Sequence, residues 1–114
     1  YAVASRSQNK AALFGEKHRA KKAYGNYEAI CKDDKVDIIY LATPHSSHME
    51  HGVMVMNNGK HLLCEKPLAV NTAQVNELIY TAKKNQVFLM EALWSRFNPS
   101  IIEVLDRINI GDIV

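Results

Sequence analysis

The sequence predicts an α/β fold built on a doubly wound parallel sheet, and three observations carry that prediction. Short, almost unbroken apolar runs rich in β-branched residues alternate with stretches of helical periodicity. Charged or proline-containing segments stand directly after the apolar runs. The order is strand then helix, four times over, which is the pattern of right-handed βαβ units with helices on both faces of the sheet.

The first run, "YAVASRS", reads as a strand already under way, so that an earlier element is expected upstream. From Ser7, which can cap a helix, Ala11, Phe14, Gly15 and His18 mark one helical side. "KKAYGNYEAI" gives a short extended piece, a Gly-Asn turn and a short helix from about Tyr27. "DIIYLA", residues 37–42, is apolar enough for a strand covered on both faces and stops at Thr43-Pro44. Ser47 with Glu50 reads as a capping box, Met49, Val53 and Met56 as an apolar stripe, and Gly59 as the stop. "HLLC", residues 61–64, is the next strand. Asn71 with Gln74 can cap a helix carrying Val75, Leu78, Ile79 and Ala82, and "VFLMEA" is one more strand. A break at "WSRFNP" precedes a helix at about 100–107, and "IGDIV" reads as the start of another strand.

Composition narrows the function. With 114 residues, 47% apolar and 23% charged, the chain has one modest core. A net charge of +2 with scattered basic residues is no nucleic-acid footprint, and the Lys17 to Lys22 cluster reads as a basic helix end entering a solvated loop. No apolar run approaches the ~20 residues of a membrane span, and no signal peptide opens the chain, so a cytoplasmic enzyme-like domain is expected. Cys31 and Cys64 lack CxxC spacing and read as reduced structural thiols. His45, His48 and His51, spaced by three, invite a zinc reading. No Cys or acidic third ligand is suitably placed and His45 lies outside the helix, so no metal is expected.

Parallel strands bring their carboxyl ends to one edge, and ligands bind in the crevice outside that edge. The segments to interrogate are therefore Ser5-Arg6-Ser7, Thr43-Pro44, Glu65-Lys66-Pro67 and Glu91 to Arg96. Hydroxyls, cations and a carboxylate converge there, a set that a dinucleotide cofactor would use. A carboxylate and an ammonium directly after a buried strand are unusual unless something polar meets them. The plainer reading is a solvated Glu-Lys pair before a turn proline.

At these residues a resemblance emerges. "YLATPHSSHMEHGVMVMNNGKHLLCEKPLAVN" resembles the Thr-Pro, downstream His and Glu-Lys-Pro pattern of the glucose-fructose oxidoreductase and inositol dehydrogenase family, Gfo/Idh/MocA. "FLMEALWSRFNP" is similar to the branch containing dimeric dihydrodiol dehydrogenases and glucose-fructose oxidoreductase. Glu-Lys-Pro alone is a weak tripeptide; with both flanking motifs it is a strong signal. The resemblance implies a Rossmann nucleotide-binding domain followed by a substrate domain on an open, mostly antiparallel sheet. None of Gly15, Gly25, Gly52, Gly59 and Gly111 forms the family's GxGxxG-like turn. The expectation is an incomplete Rossmann domain over residues 1–108, lacking the first strand, the Gly-rich loop and the first helix. The missing strand would lie at the sheet's centre, beside "YAVAS" and "DIIYLA". Residues 109–114 would begin a substrate domain that is otherwise absent, and with it the family's remaining acid-base His, Asp or Tyr.

The resemblance implies roles residue by residue. Lys66 lies beside nicotinamide and substrate, where its ammonium can hydrogen-bond the reacting oxygen, which makes it the expected catalytic residue. Glu65 is carried over as a cofactor-side residue, Thr43 and Pro44 as the loop passing the ribose and nicotinamide, and His48 as the histidine of the same loop and helix start. Trp94 and Arg96 resemble residues at the nicotinamide and substrate mouth; the plainer reading has Trp94 packing a domain junction and Arg96 paired with an acid. After the second Rossmann strand an acid usually binds the ribose hydroxyls of NAD. Here Ser5, Arg6 and Ser7 stand there and the first acid is Glu16, so NADP is expected over NAD. The expected protein is an oxidoreductase moving hydride between nicotinamide and a hydroxyl-bearing carbon of a sugar, cyclitol or dihydrodiol, a homo-oligomer at full length. A non-catalytic dinucleotide-binding regulator on the same fold is the other class, and the presence of Lys66 argues against it.

Overall fold

The computed structural model describes residues 1–113. Five strands alternate with helices: β1 (Ala2–Ala4), α1 (Gln8–Lys17), β2 (Lys22–Tyr24), α2 (Tyr27–Cys31), β3 (Ile38–Leu41), α3 (His48–Asn57), β4 (His61–Cys64), α4 (Thr72–Asn85), β5 (Leu89–Glu91) and α5 (Pro99–Asn109). Turns of 3-10 helix, His45–Ser47 and Trp94–Phe97, precede α3 and α5. Every strand pairing is parallel.

The strands form two sheets, β1-β2 and β3-β4-β5. Between the edges of β1 and β3 runs a cavity of about 810 Å³, bordered by Tyr1 to Ser5 on one side and by Lys35 to Thr43 on the other. Its lining takes in both strands along their whole length, with residues of α1, α2 and α3 beside them, so it has the form of a slot between two sheet edges. The gap stands where the resemblance puts a central strand. The α/β parallel architecture and its incompleteness are therefore as expected.

The core lies under the three-stranded sheet. Leu62 and Cys64 of β4, Met56 of α3 and Leu78 of α4 are fully buried, and α3 packs on β3, β4 and α4. Gly52 lets the helices approach that closely: a Cβ there would meet Leu78 Cδ2 at 2.6 Å and Leu62 Cδ2 at 3.0 Å. The buried face of α3 is thus His48, Gly52, Val55 and Met56, rotated from the expected stripe, with Met49 and Val53 at its margin.

Several local signals act as expected. Ser7 Oγ accepts from Lys10 N at 3.4 Å, and Asn71 Oδ1 accepts from Gln74 N at 3.0 Å. Gly59, at φ +71°, ends α3 with the paired bonds Gly59 N to Met56 O and Lys60 N to Val55 O.

Three local expectations are corrected. Ser47 makes no capping bond, because Pro44 O already accepts from Ser47 N at 2.8 Å and the helical path starts a turn earlier. Residues 110–113 form no strand among the described residues. Gly111, at φ +83°, closes α5 through Gly111 N to Ile108 O and Asp112 N to Arg107 O, the same terminator as at Gly59; Val114, the last residue of the expected strand, lies outside the described residues. The run 37–42 is covered on one face only: Ile39 and Leu41 are buried by the core, while Ile38 and Tyr40 are more than half exposed. In Tyr40 that open face carries a hydroxyl with a use at the site.

Candidate active site

The sheet register sets the site. Leu41 lies opposite Cys64, and Cys64 opposite Glu91. The ladder runs one step further through Glu65 N to Leu41 O (2.9 Å) and Ala92 N to Cys64 O (2.7 Å). The segments after β3, β4 and β5 therefore leave the sheet side by side at its carboxyl edge.

The segment Glu65 to Leu68 is held from three sides. Tyr40 on β3 donates its hydroxyl to Glu65 Oε1, and Lys66 N donates to Glu65 Oε2 at 3.1 Å. Those bonds, Tyr40's first, hold the Glu65 carboxyl below the usual range, and the carboxylate in turn pushes the Tyr40 phenol up. From β5, Glu91 Oε1 accepts from Leu68 N at 2.7 Å. From α3, the His48 ring places Nδ1 2.8 Å from Pro67 O and Nε2 2.8 Å from Thr43 O. The Lys66-Pro67 peptide bond is cis. Lys66 itself is exposed, so an anchored backbone presents a solvent-facing ammonium at the sheet edge.

Across the slot, Ser5 opens the other wall, and Ser5, Thr43 and Pro44 border the same opening. Ser5 N donates to Tyr24 O, Ser7 caps α1, and Arg6 is exposed. His51, one turn along α3, shares a 3.1 Å hydrogen bond between its Nδ1 and Thr43 Oγ1. Burial lowers the affinity of His51 for its proton; Arg6 and His48 push the same way and Glu50 opposes them. His48 is only 1% exposed, and its two nitrogens face backbone carbonyl oxygens. Among the described residues, no three metal-ligating side chains converge. Burial first, then Glu91 and Glu65, pushes the Cys64 thiol up to about 12.

Trp94 and Arg96 lie on the 3-10 turn beyond β5. Trp94 is 68% exposed, and Arg96 makes no ion pair among the described residues. The arrangement thus joins Thr43, Pro44, His48, Glu65 and Lys66 in one bonded unit, sets Ser5 across an opening from it with Arg6 and Ser7 next in the chain, and leaves Trp94 and Arg96 on the turn beyond β5, which packs on α5. Tyr40 and Glu91 complete the unit; Glu91 opens one of the strand-end segments singled out from the sequence, with no role of its own expected, and Tyr40 is not among the expected site residues. One faint signal for each existed: a tyrosine in an otherwise aliphatic strand, and an acid at a strand end.

Residues 1–93 match the model of an oxidoreductase family with an NAD-binding Rossmann fold, Gfo/Idh/MocA. The chain belongs to that family. It is 50% identical over 115 residues to trans-1,2-dihydrobenzene-1,2-diol dehydrogenase of Xenopus tropicalis, covering 98% of this chain and 35% of that protein. The human protein of the same name is 41% identical, with 98% and 34% covered. Among solved structures, an NAD-binding oxidoreductase from Klebsiella pneumoniae superposes with a TM-score of 0.92 at 34% identity, over 99% of this chain and 30% of that one. The 3-ketoreductase KijD10 from Actinomadura kijaniata, solved with TDP-benzene and NADP, gives 0.90 at 31% identity, over 98% and 35%. The chain spans about a third of the length of the curated relatives it matches. No helix among the described residues is long and apolar enough to cross a membrane.

Proposed function

We propose that this chain is part of an NADP-preferring oxidoreductase that moves hydride between nicotinamide and a hydroxyl-bearing carbon of a dihydrodiol, sugar or cyclitol. The observation that carries the proposal is the exposed Lys66 ammonium on a backbone anchored by Tyr40, His48 and Glu91 at the carboxyl edge of a parallel sheet. The relatives named dihydrodiol dehydrogenase support that substrate class, and the NADP complex of a structural neighbour supports the cofactor.

The residues present fit one side of a dinucleotide. Arg6 and the hydroxyls of Ser5 and Ser7 suit a phosphorylated ribose, and the Thr43-Pro44 segment, with Glu65 beside it, suits the nicotinamide end. Trp94 and Arg96, on the turn beyond β5, suit a wall against water and a contact to an anionic or polar group. A Gly-rich turn for the pyrophosphate is not among this chain's glycines. The cofactor, when bound, supplies the hydride acceptor. Lys66 donates a hydrogen bond to the reacting oxygen and stabilises the negative charge that grows there as the carbon loses hydride. The hydroxyl proton passes to an acid-base residue of the substrate domain, residues 1–108 being the nucleotide-binding part. Of the two function classes, the catalytic one is favoured because a regulator has no use for an ammonium mounted this way.

The test is an assay of the full-length protein with NADP⁺ or NAD⁺ against trans-dihydrodiols, cyclitols and aldoses, following nicotinamide reduction by absorbance. Turnover with at least one class, faster with NADP⁺, is expected. Cofactor binding without turnover on any of them would leave the regulator as the better account.

A further inference from the structure

The surroundings of His48 pose a question of proton count. The ring is 1% exposed, so water does not complete its hydrogen bonding. Nδ1 lies 2.8 Å from Pro67 O and Nε2 lies 2.8 Å from Thr43 O. Both partners are backbone carbonyls, which accept and never donate. A neutral imidazole has one N–H, so one of its nitrogens would direct a lone pair at a carbonyl oxygen at hydrogen-bond distance. Only the ring with two N–H groups satisfies both contacts.

We propose that His48 is held as an imidazolium that donates to Thr43 O and Pro67 O at once, and that it is the positioning residue locking the Lys66 loop to the Thr43-Pro44 loop. The two carbonyls belong to segments following different strands, β3 and β4, and no other side chain among the described residues bonds to both. His45, in edge contact at 6.2 Å between ring centroids, and His51 are the titratable groups near it on its own side. After β4 come Glu65, whose carboxyl the Tyr40 hydroxyl and then Lys66 N hold below the usual range, and the exposed Lys66. From β5, Glu91 binds Leu68 N, next to the carbonyl that His48 holds. The carboxylates Glu65 and Glu91 thus lie on the loop side of the ring, where a buried cation is best compensated. One turn along α3, burial lowers the affinity of His51 for its proton, Glu50 opposing and Arg6 acting the same way as burial, and its Nδ1 lies 3.1 Å from the Thr43 hydroxyl. The two histidines of this turn thereby divide Thr43 between them, His48 gripping its backbone and His51 its side chain.

The protonation state follows from the geometry alone, whereas the consequence for turnover rests on the role proposed for Lys66. Nitrogen-15 spectra of the full-length protein labelled at histidine address the first. Two directly bonded protons on the His48 ring at neutral pH are expected, where an exposed imidazole is largely neutral. A single N–H, with the other nitrogen showing the shift of a free lone pair, would overturn the proposal without any variant being made. For the second, His48→Gln keeps a donor but cannot bridge both carbonyls. Its kcat should fall between about tenfold and a hundredfold, with cofactor affinity within about twofold of wild type, as for a displaced catalytic group. A His48→Gln enzyme with wild-type kcat would remove the positioning role. If Lys66→Met retains turnover while His48 keeps two protons, the clamp stands and the function assigned to Lys66 falls.

Discussion

The two halves of the molecule differ in how firmly they hold what they present. Around β3-β4-β5, fully buried Met56, Leu62, Cys64 and Leu78 support loops whose carbonyls, amides and carboxylates bond one another across three strands. Around β1-β2, both strands are three residues long, none of their residues is fully buried, and Arg6 at the strand end is exposed. One half therefore presents its chemistry on a fixed frame, and the other presents an exposed guanidinium beside an open slot. That difference suits the roles proposed for them. A group acting on a transition state gains from being held in place, whereas a group that tells one cofactor from another needs charge and reach more than close placement.

The largest effect should come from the fixed half. Lys66→Met in the full-length enzyme is expected to lower kcat by at least about a hundredfold while cofactor affinity stays near wild type, since the ammonium acts on the reacting oxygen. Steady-state kinetics beside a cofactor titration reads both numbers. Near-wild-type turnover would remove the catalytic role and with it the contrast between the halves. Next in size, Leu62→Ala should cost about 3 kcal/mol in urea unfolding, because the side chain is fully buried and its loss leaves a cavity beneath Gly52 and Leu78. A cost below about 1 kcal/mol would mean that the frame can collapse around the hole.

The sequence reveals these two halves unequally, for a physical reason. Helix starts at Ser7 and Asn71 and the stop at Gly59 are legible because each depends on residues within a turn of one another. Even local signals mislead when two motifs share one residue type: Gly111 ends a helix as Gly59 does, yet before "DIV" it reads as a strand entry. Ser47 and Glu50 have the spacing of a capping box, but Pro44 starts the helical path first. The bonds that make the site run over long separations, 25 residues from Tyr40 to Glu65 and 23 from Leu68 to Glu91, and no periodicity encodes them. Lys66 could be placed at the sheet edge by the parallel-strand rule; the residues that hold its loop could not. His48 marks the limit: its position in the loop was legible, its burial between two carbonyls was not.

Arg6→Ala sharpens the comparison from the open side. Loss of the guanidinium should weaken NADP by between about tenfold and a hundredfold and NAD by much less, because a charge-assisted contact of about 1.5–3 kcal/mol is available only to the extra phosphate. Calorimetric titration of both cofactors gives the ratio. Equal losses would show that Arg6 contacts a part of the dinucleotide that the two share.

The smallest effect concerns a bonded cluster of the β1-β2 half. Asp33, in the loop after α2, accepts at Oδ2 from Lys22 Nζ (2.9 Å) and from the Tyr24 hydroxyl (2.7 Å), and at Oδ1 from Lys35 N (3.0 Å). It thereby ties β2 to the loop that leads into β3, and Lys60 Nζ adds a bond to its backbone oxygen at 2.9 Å. The Lys22 bond, then that of Tyr24, holds the Asp33 carboxyl well below the usual carboxylate range, and Lys22 is raised above the usual lysine range by the same contact. The signs follow from linkage. A depressed carboxyl contributes fully above the unfolded value, about pH 4, and its contribution is lost as pH falls through the lower folded value. A raised lysine contributes fully below about pH 10.4 and is lost as pH rises through the higher folded value. Stability should therefore show a small loss at each extreme and none of this origin between them. Asp33→Asn removes both limbs while leaving the Lys60 bond and the Oδ1 contact in place. Because Lys22 is 45% exposed, the limbs should also shrink in high salt. Unfolding curves of wild type and variant across pH, at low and high salt, make the check. An acid limb of equal size in both proteins would move its origin to the carboxylates of the other half, Glu65 first, and would leave the β1-β2 half with no electrostatic anchor of its own.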